Sequence, residues 1–156
     1  ISRNILKIKD ANSSEFSKTK NPVVGLMKEW TKNNKKVSRN ENSDKGGTMR
    51  LGSYPCNLAS KSLVRKIYNS NEINERHRHR YEVNNYYIDS FKKNNFIFSG
   101  MSPDSKLPEI LESSILDWFI GVQFHPELKS RPLDPHPLFV SFINAAIKNK
   151  KKNEKN

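Results

Sequence analysis

Three short apolar segments that follow one another closely constrain the fold of this chain more than any other feature. They are FIFSGM, PEILES and WFIGVQF, at residues 96–101, 108–113 and 118–124. Each has the length and apolar content of a buried strand. A helix pattern follows from Pro137 to about Lys150, with proline at its start and lysines in its last turn. Strands mixed with helices in this order predict an α/β or α+β layered domain.

Shorter patterns predict further elements upstream. The spacing of Ile1, Ile5 and Ile8 suits the end of a helix, and the β-branched residues of NPVVGLM suit a strand. The polar residues 31–45 are expected to form a loop or hairpin. SKSLVRKIYNS and NNYYIDSFKKN each predict a short amphipathic helix, the first with Ser60 or Ser62 as its N-cap.

The length and composition limit the class of protein. A chain of 156 residues suits one domain, here residues 1–147, followed by a lysine-rich disordered tail at 148–156. No segment approaches the roughly 18 apolar residues of a membrane span, and no signal layout opens the chain. The single cysteine excludes an internal disulfide. A cytoplasmic protein is expected.

The net charge of +12 raises an alternative, a small basic nucleic-acid-binding module. Its distribution argues against this interpretation. The tail carries five lysines and one glutamate, which is +4 of the total, and many other lysines alternate with asparagine as in solvated surface turns.

The stretch GVQFHPE places His125 and Glu127 two residues apart around a proline, at the end of a predicted strand. A residue before proline favours extended backbone, in which side chains two apart point to the same side. His125 is therefore a candidate base and Glu127 the acid that orients it. The alternative is a histidine with a structural role, because H-x-E spacing is common.

Cys56 is a poor nucleophile for this base. A nucleophilic thiol usually occupies a sharp elbow flanked by glycines, whereas Cys56 follows Pro55 and its nearest glycine is Gly52. The sequence predicts a small buried hydrophobic residue at this position.

The densest charge pattern is ERHRHRYEVN, residues 75–84. In extended backbone its arginines would lie on one face and its histidines on the other. An arginine fork suits a carboxylate or phosphate, so a substrate clamp, a nucleic-acid strip and a solvated cluster paired to Glu75 and Glu82 all remain open. The two histidines have no third ligand at zinc-site spacing, and no metal is expected.

Together these motifs resemble a known family. ANSSEF, SDKGGTMRLG, ERHRHRYEVN and GVQFHPELKSRP followed by HPLF occur in this order in the C-terminal glutamine amidotransferase domain of the CTP synthases. The HPE step is shared with other class I amidotransferases, which remain an alternative. The resemblance implies a partial class I amidotransferase fold, α/β with a mixed, mostly parallel sheet flanked by helices.

The resemblance also implies roles for individual residues. His125 and Glu127 would belong to a Cys-His-Glu triad that hydrolyses glutamine, and Glu15 and Arg80 would contact that substrate. Arg39 would take part in activation by GTP. A synthetase domain would use the ammonia, with ATP and Mg²⁺, to convert UTP to CTP in a homotetramer, and this chain itself would hold no cofactor.

The chain departs from the family pattern in three respects. The strands and the glycine-flanked cysteine elbow that the family places before ISRN are not in the sequence, nor is the synthetase domain. Leu128 stands where the family has an aromatic residue, a conservative change at an expected packing position. The sequence is therefore expected to be a fragment, inactive by itself and poorly stable.

Overall fold

The computed structural model describes residues 1–26, 29–32, 35–38 and 49–154. The described strands are β1 (Ala11–Ser13), β2 (Asn21–Leu26), β3 (Glu29–Lys32), β4 (Lys35–Ser38), β5 (Arg50–Leu58), β6 (Glu72–His79), β7 (Tyr81–Val83), β8 (Phe96–Met101), β9 (Pro108–Ser113) and β10 (Ile120–Val122). The α-helices are α1 (Leu63–Tyr68), α2 (Ile88–Lys93) and α3 (Pro137–Asn153). Two 3₁₀ turns, Asn85–Tyr87 and Pro126–Leu128, complete these elements.

A five-stranded sheet in the order β10-β9-β8-β5-β6 forms the centre of the structure, and every neighbouring pair in it is antiparallel. A second sheet has the order β1-β2-β7, with β1 parallel to β2 and β7 antiparallel to β2. The strands β3 and β4 form an antiparallel pair, which agrees with a hairpin at the start of the stretch predicted to be a loop or hairpin, and residues 39–45 of that stretch lie outside the described residues.

The α/β class is confirmed, but the expectation of a mostly parallel sheet is wrong for the described residues. A parallel pair needs a crossover of a dozen or more residues, whereas a short loop permits an antiparallel pair. The loops between β8 and β9 and between β9 and β10 are short, so these strands reverse direction at each step.

Helices cover both faces of the central sheet. On one face, α1 and α3 contribute Val64 and Leu138 to a buried cluster that also contains Cys56 and Ile110. On the other face, Phe91 of α2 packs in a second cluster with Tyr87 and Phe96, against which Leu111 is packed. Because successive side chains of a strand point to opposite faces, Ile110 and Leu111 of β9 serve one cluster each.

The two short helices lie where the sequence predicts them. Ser62 caps α1 by accepting a hydrogen bond from the backbone N–H of Arg65 at 3.2 Å. The carboxylate of Glu112 in β9 accepts the N–H groups of Leu63 and Val64, each at 2.9 Å. The start of α1 is therefore fixed to the sheet as well as capped locally.

The helix expected in residues 1–10 is not formed. Single hydrogen bonds run from the N–H groups of Ile5 and Leu6 to the carbonyl of Ile1, but the segment consists of turns. Lys7 and Asp10 have φ near +55°, in the left-handed region that interrupts a right-handed helix.

The helix predicted from Pro137 to about Lys150 is present as α3, which continues to Asn153 and so includes residues 148–153 of the segment predicted to be a disordered tail. Most of its large apolar side chains are not buried. Leu138 is buried, whereas Phe139, Phe142, Ile143 and Ile147 are each 40–55% exposed. No helix among the described residues has the length and apolar character needed to span a membrane.

Candidate active site

The imidazole of His125 and the carboxylate of Glu127 form a direct pair. His125 Nδ1 lies 2.7 Å from Glu127 Oε1, and the side chains are 37% and 59% exposed. This contact engages Nδ1 and leaves Nε2 as the nitrogen that can accept a proton. The predicted proximity of the two side chains is confirmed.

The pair is electrostatically suited to proton transfer. The hydrogen bond from His125 is the main reason why the pKa of Glu127 lies below its ordinary value. An ionised carboxylate beside the imidazole favours one ring orientation and one tautomer.

The backbone of the neighbouring strand holds His125 in place. β10 ends at Val122, and the His125 N–H donates to the carbonyl of Arg76 in β6 at 2.8 Å. The His125 φ of −113° and ψ of 87° avoid the helical region, as expected before proline. Pro126 then begins a 3₁₀ turn, so both catalytic candidates lie on a loop just past the strand.

The arginines and histidines of β6 alternate between faces, as predicted. Arg76 and Arg78 are exposed, whereas His77 is buried. Glu75 and Glu82 are also buried, so the solvated cluster that would pair them with surface arginines is not what the structure shows. Arg50 approaches Glu82 instead, with 3.6 Å between Nη1 and Oε1.

Glu15 and Arg80 lie at the same end of the three-stranded sheet β1-β2-β7. Glu15 follows β1 by two residues, and its N–H donates to Ser13 Oγ at 3.2 Å. The half-buried Arg80 immediately precedes β7, whose Tyr81 pairs with Leu26 at the end of β2. Because β1 runs parallel to β2 and β7 runs antiparallel, both residues lie near the end of β2. Arg39 lies outside the described residues.

Leu128 is 48% exposed, so the expected packing position is solvent-accessible among the described residues. The residues that the structure describes hold no group of three histidine, cysteine, aspartate or glutamate side chains placed to bind a metal ion.

The sequence analysis did not predict a buried network of charged and titratable side chains, formed by Arg50, Glu109 and His77. Arg50 Nη1 lies 2.7 Å from Glu109 Oε1, and its guanidinium lies 4.6 Å from the centre of the Tyr54 ring. His77 Nε2 lies 3.7 Å from Glu109 Oε2. In β5, Arg50 has the same strand parity as buried Cys56, which is the signal that could have predicted its burial.

Burial controls the protonation of this network. Burial raises the pKa of Glu109, although the adjacent Arg50 guanidinium acts to lower it. Burial, helped by the Arg50 charge, lowers the pKa of His77 to about 2. His77 is therefore neutral at physiological pH, and Arg50 is the main positive charge beside Glu109.

Cys56 is fully buried in the middle of β5, which agrees with the prediction of a small hydrophobic residue. Burial, reinforced by the negative charge of Glu109, raises the pKa of its thiol to about 12. A thiol in this state supplies almost no thiolate near neutral pH, so Cys56 is not the nucleophile partner of His125.

Cys56 should react very slowly with a thiol reagent in the folded chain. Raising the thiol pKa from 9.0 to about 12 reduces the thiolate fraction at pH 8 roughly a thousandfold, and burial also blocks access. Labelling with a chromogenic disulfide, with and without urea, measures this, since the chain has one cysteine. Equal rates in the two conditions would contradict the buried position.

Comparison with known proteins identifies the class. Residues 11–145 match the family described as glutamine amidotransferase class-I. The chain therefore belongs to the class I glutamine amidotransferases.

Curated relatives of this chain are CTP synthases. The chain is 64% identical over 146 residues to the CTP synthase of Hyphomonas neptunium and 60% identical over 148 residues to that of Pelagibacter ubique. These matches cover 94% and 95% of the chain, and the chain spans 27% of each relative.

A solved structure agrees with these relatives. The Trypanosoma brucei CTPS glutaminase domain with bound acivicin matches with a TM-score of 0.79 and 36% identity, over 94% of this chain and 54% of that one. The chain is thus homologous to the glutaminase domain of CTP synthase. The resemblance is confirmed, and the nucleic-acid-binding alternative receives no support.

Proposed function

We propose that this chain supplies the base and its orienting acid to the glutaminase reaction of a CTP synthase. The observation that carries the proposal is the 2.7 Å pair of His125 and Glu127, placed on a loop of a chain homologous to that domain. The parent enzyme would make CTP from UTP, with ATP and with ammonia derived from glutamine.

In the proposed reaction a cysteine thiolate attacks the side-chain amide carbon of glutamine. Protonated His125 then gives its proton to the departing nitrogen, which leaves as ammonia. A water molecule, deprotonated by His125, hydrolyses the thioester and releases glutamate. Because Cys56 is buried and protonated, the thiolate would come from the sequence that the relatives carry outside the matched segment.

Glu15 and Arg80 would bind glutamine. A guanidinium fork matches the α-carboxylate of the substrate, and a carboxylate matches its α-ammonium group. Both side chains lie at the same end of the three-stranded sheet, which supports their binding the two charged groups of one glutamine molecule.

The remaining expectations concern the parent enzyme. Arg39 would contribute to activation by GTP. ATP, Mg²⁺ and UTP would bind the synthetase domain, which would receive the ammonia. The parent would be a homotetramer in the cytoplasm.

The proposal is tested in a complete enzyme, made by replacing the matching segment of the Hyphomonas neptunium relative with this chain. CTP formation from UTP and ATP is measured with glutamine or with ammonium chloride as nitrogen donor. We expect CTP to form with either nitrogen donor. If ammonium supported CTP formation and glutamine did not, the proposed role of this chain would be wrong.

By itself, the 156-residue chain should release no ammonia from glutamine. Its one thiol is fully buried, with a pKa raised to about 12, so an acyl-enzyme cannot form on it. A coupled glutamate dehydrogenase assay measures the ammonia. Release above the rate of a heat-denatured sample would show that another residue of this chain acts as nucleophile.

A further inference from the structure

A fully buried carboxylate, Glu75, joins three separate elements behind the candidate active site. Its Oε1 accepts a hydrogen bond from the Tyr68 hydroxyl of α1 at 3.0 Å. It also lies 3.1 Å from Nε2 of His136, which begins α3, and 3.3 Å from Nζ of Lys129. The roles proposed above for the active site leave all four residues unused.

The protonation state of this group follows from its contacts. His136 Nδ1 accepts the N–H of Leu138 at 3.3 Å, so Nε2 carries the proton that faces Glu75. Burial acts to raise the pKa of Glu75, but the hydrogen bond from His136, the Lys129 charge and the Tyr68 hydroxyl together lower it. Glu75 is therefore a buried carboxylate anion with three donors around one oxygen.

Lys129 connects this anion to the catalytic loop, residues 125–129. At the start of the loop, the N–H of His125 donates to the carbonyl of Arg76 at 2.8 Å. At its end, Lys129 Nζ donates to the carbonyl of Asn74 at 2.7 Å and lies beside Glu75. The start of the loop is therefore bonded to Arg76, and its end is bonded to Asn74 and Glu75, which are neighbouring residues of β6.

The bonds between the catalytic loop and β6 matter because the contact between His125 and Glu127 does not by itself fix the position of the two side chains. Glu127 is 59% exposed, and a contact between exposed side chains contributes little energy, so it can orient the imidazole ring but cannot fix the backbone that carries it. The position of His125 relative to a bound substrate must therefore come from the backbone of its loop. That backbone is held at His125 itself and at Lys129.

We infer that Glu75 and Lys129 are positioning residues for His125, because the buried carboxylate holds Lys129 and thereby fixes the catalytic loop on β6. This inference rests on the proposed function, in which His125 is the base. In this role Glu75 and Lys129 act through the loop and not on the substrate itself.

The half-exposed Lys129 offers the first test, since its side chain is not part of either buried cluster. In the complete enzyme, Lys129→Met should lower glutamine-dependent kcat between about tenfold and a hundredfold, the cost of misplacing a catalytic group by a fraction of an ångström to an ångström. KM for glutamine and ammonia-dependent CTP formation should stay unchanged. Lys129→Arg, which keeps the charge, should restore most of the activity.

The matched control is Lys150→Met, which removes an exposed lysine whose Nζ lies 3.7 Å from Glu154 Oε1 at the end of α3. It should leave both activities unchanged. Full glutamine-dependent activity in Lys129→Met would overturn the inference, and so would equal loss of both activities.

Glu75→Gln provides the second variant, because it keeps the size of the side chain and removes the charge that attracts Lys129. Folding is checked by circular dichroism, and the expected result is the same selective loss of glutamine-dependent kcat. Normal glutamine-dependent activity in a folded Glu75→Gln enzyme would overturn the inference. The proposed function is tested separately by His125→Ala. If His125→Ala kept its activity, the proposed function itself would fail.

Discussion

Substitution of His125 by alanine should abolish glutamine-dependent CTP formation while leaving ammonia-dependent formation intact. The variant loses the group that transfers protons to and from the reacting nitrogen and water, and such groups contribute about 10²–10⁴-fold to rate. Free ammonia bypasses the glutaminase reaction, so the synthetase activity does not need His125. Initial rates of CTP formation in the complete enzyme, measured with each nitrogen donor, provide the test.

Leu128→Ala is the matched control for this experiment. Leu128 lies in the same loop, is half-exposed and carries no titratable group. We expect both activities to remain within a few-fold of the parent, which separates loss of the imidazole from disturbance of the loop. Equal loss of the two activities in His125→Ala would show that His125 has a structural role.

The largest effect on stability should come from Arg50→Met. This change removes the guanidinium that lies 2.7 Å from Glu109 and 3.6 Å from Glu82, and it leaves both carboxylates buried. Removing one partner of a buried ion pair costs about 3–5 kcal/mol, a large share of the stability of a small domain. Urea unfolding of this chain, followed by tryptophan fluorescence, measures the free energy of unfolding.

The loss of stability should grow with pH. Burial already raises the pKa of Glu109, Asp104 adds to the rise, and the loss of Arg50 raises it further. The folded variant then binds more protons than the unfolded chain at every pH between the unfolded value of about 4.3 and the folded pKa. Its stability therefore falls as pH rises through that window. The effect should be smaller at pH 5 than at pH 8. Other titratable groups near this network include His77, His79 and Glu82.

Two further variants identify the cause of this effect. Arg50→Met combined with Glu109→Gln should recover part of the lost stability, because the amide carries no charge. Lys152→Met removes an exposed lysine that approaches Asp117 at 3.8 Å, and it should change stability far less. A loss in Arg50→Met that did not vary with pH would show that packing against Tyr54, and not charge, explains the effect.

Local sequence patterns predicted local structure well. The proline at the start of α3, the Ser62 cap of α1 and the alternation of β6 are all present in the structure. Each depends on interactions between residues close in the chain, which a single sequence records directly. The prediction of a helix in residues 1–10 was wrong, because the spacing of apolar residues carries no information about the left-handed backbone conformations of Lys7 and Asp10.

The sequence by itself determined the pairing of His125 with Glu127, because proline between them restricts the backbone and two-residue spacing brings the side chains together. It also determined that Cys56 is a buried residue. Only the tertiary structure decided that the strands pair almost entirely antiparallel and that Arg50 meets Glu109. Tertiary structure alone also brings Glu75 to Lys129. The physical reason is distance along the chain: Arg50 and Glu109, or Glu75 and Lys129, become neighbours only when separate strands and loops pack, and no local pattern contains that contact.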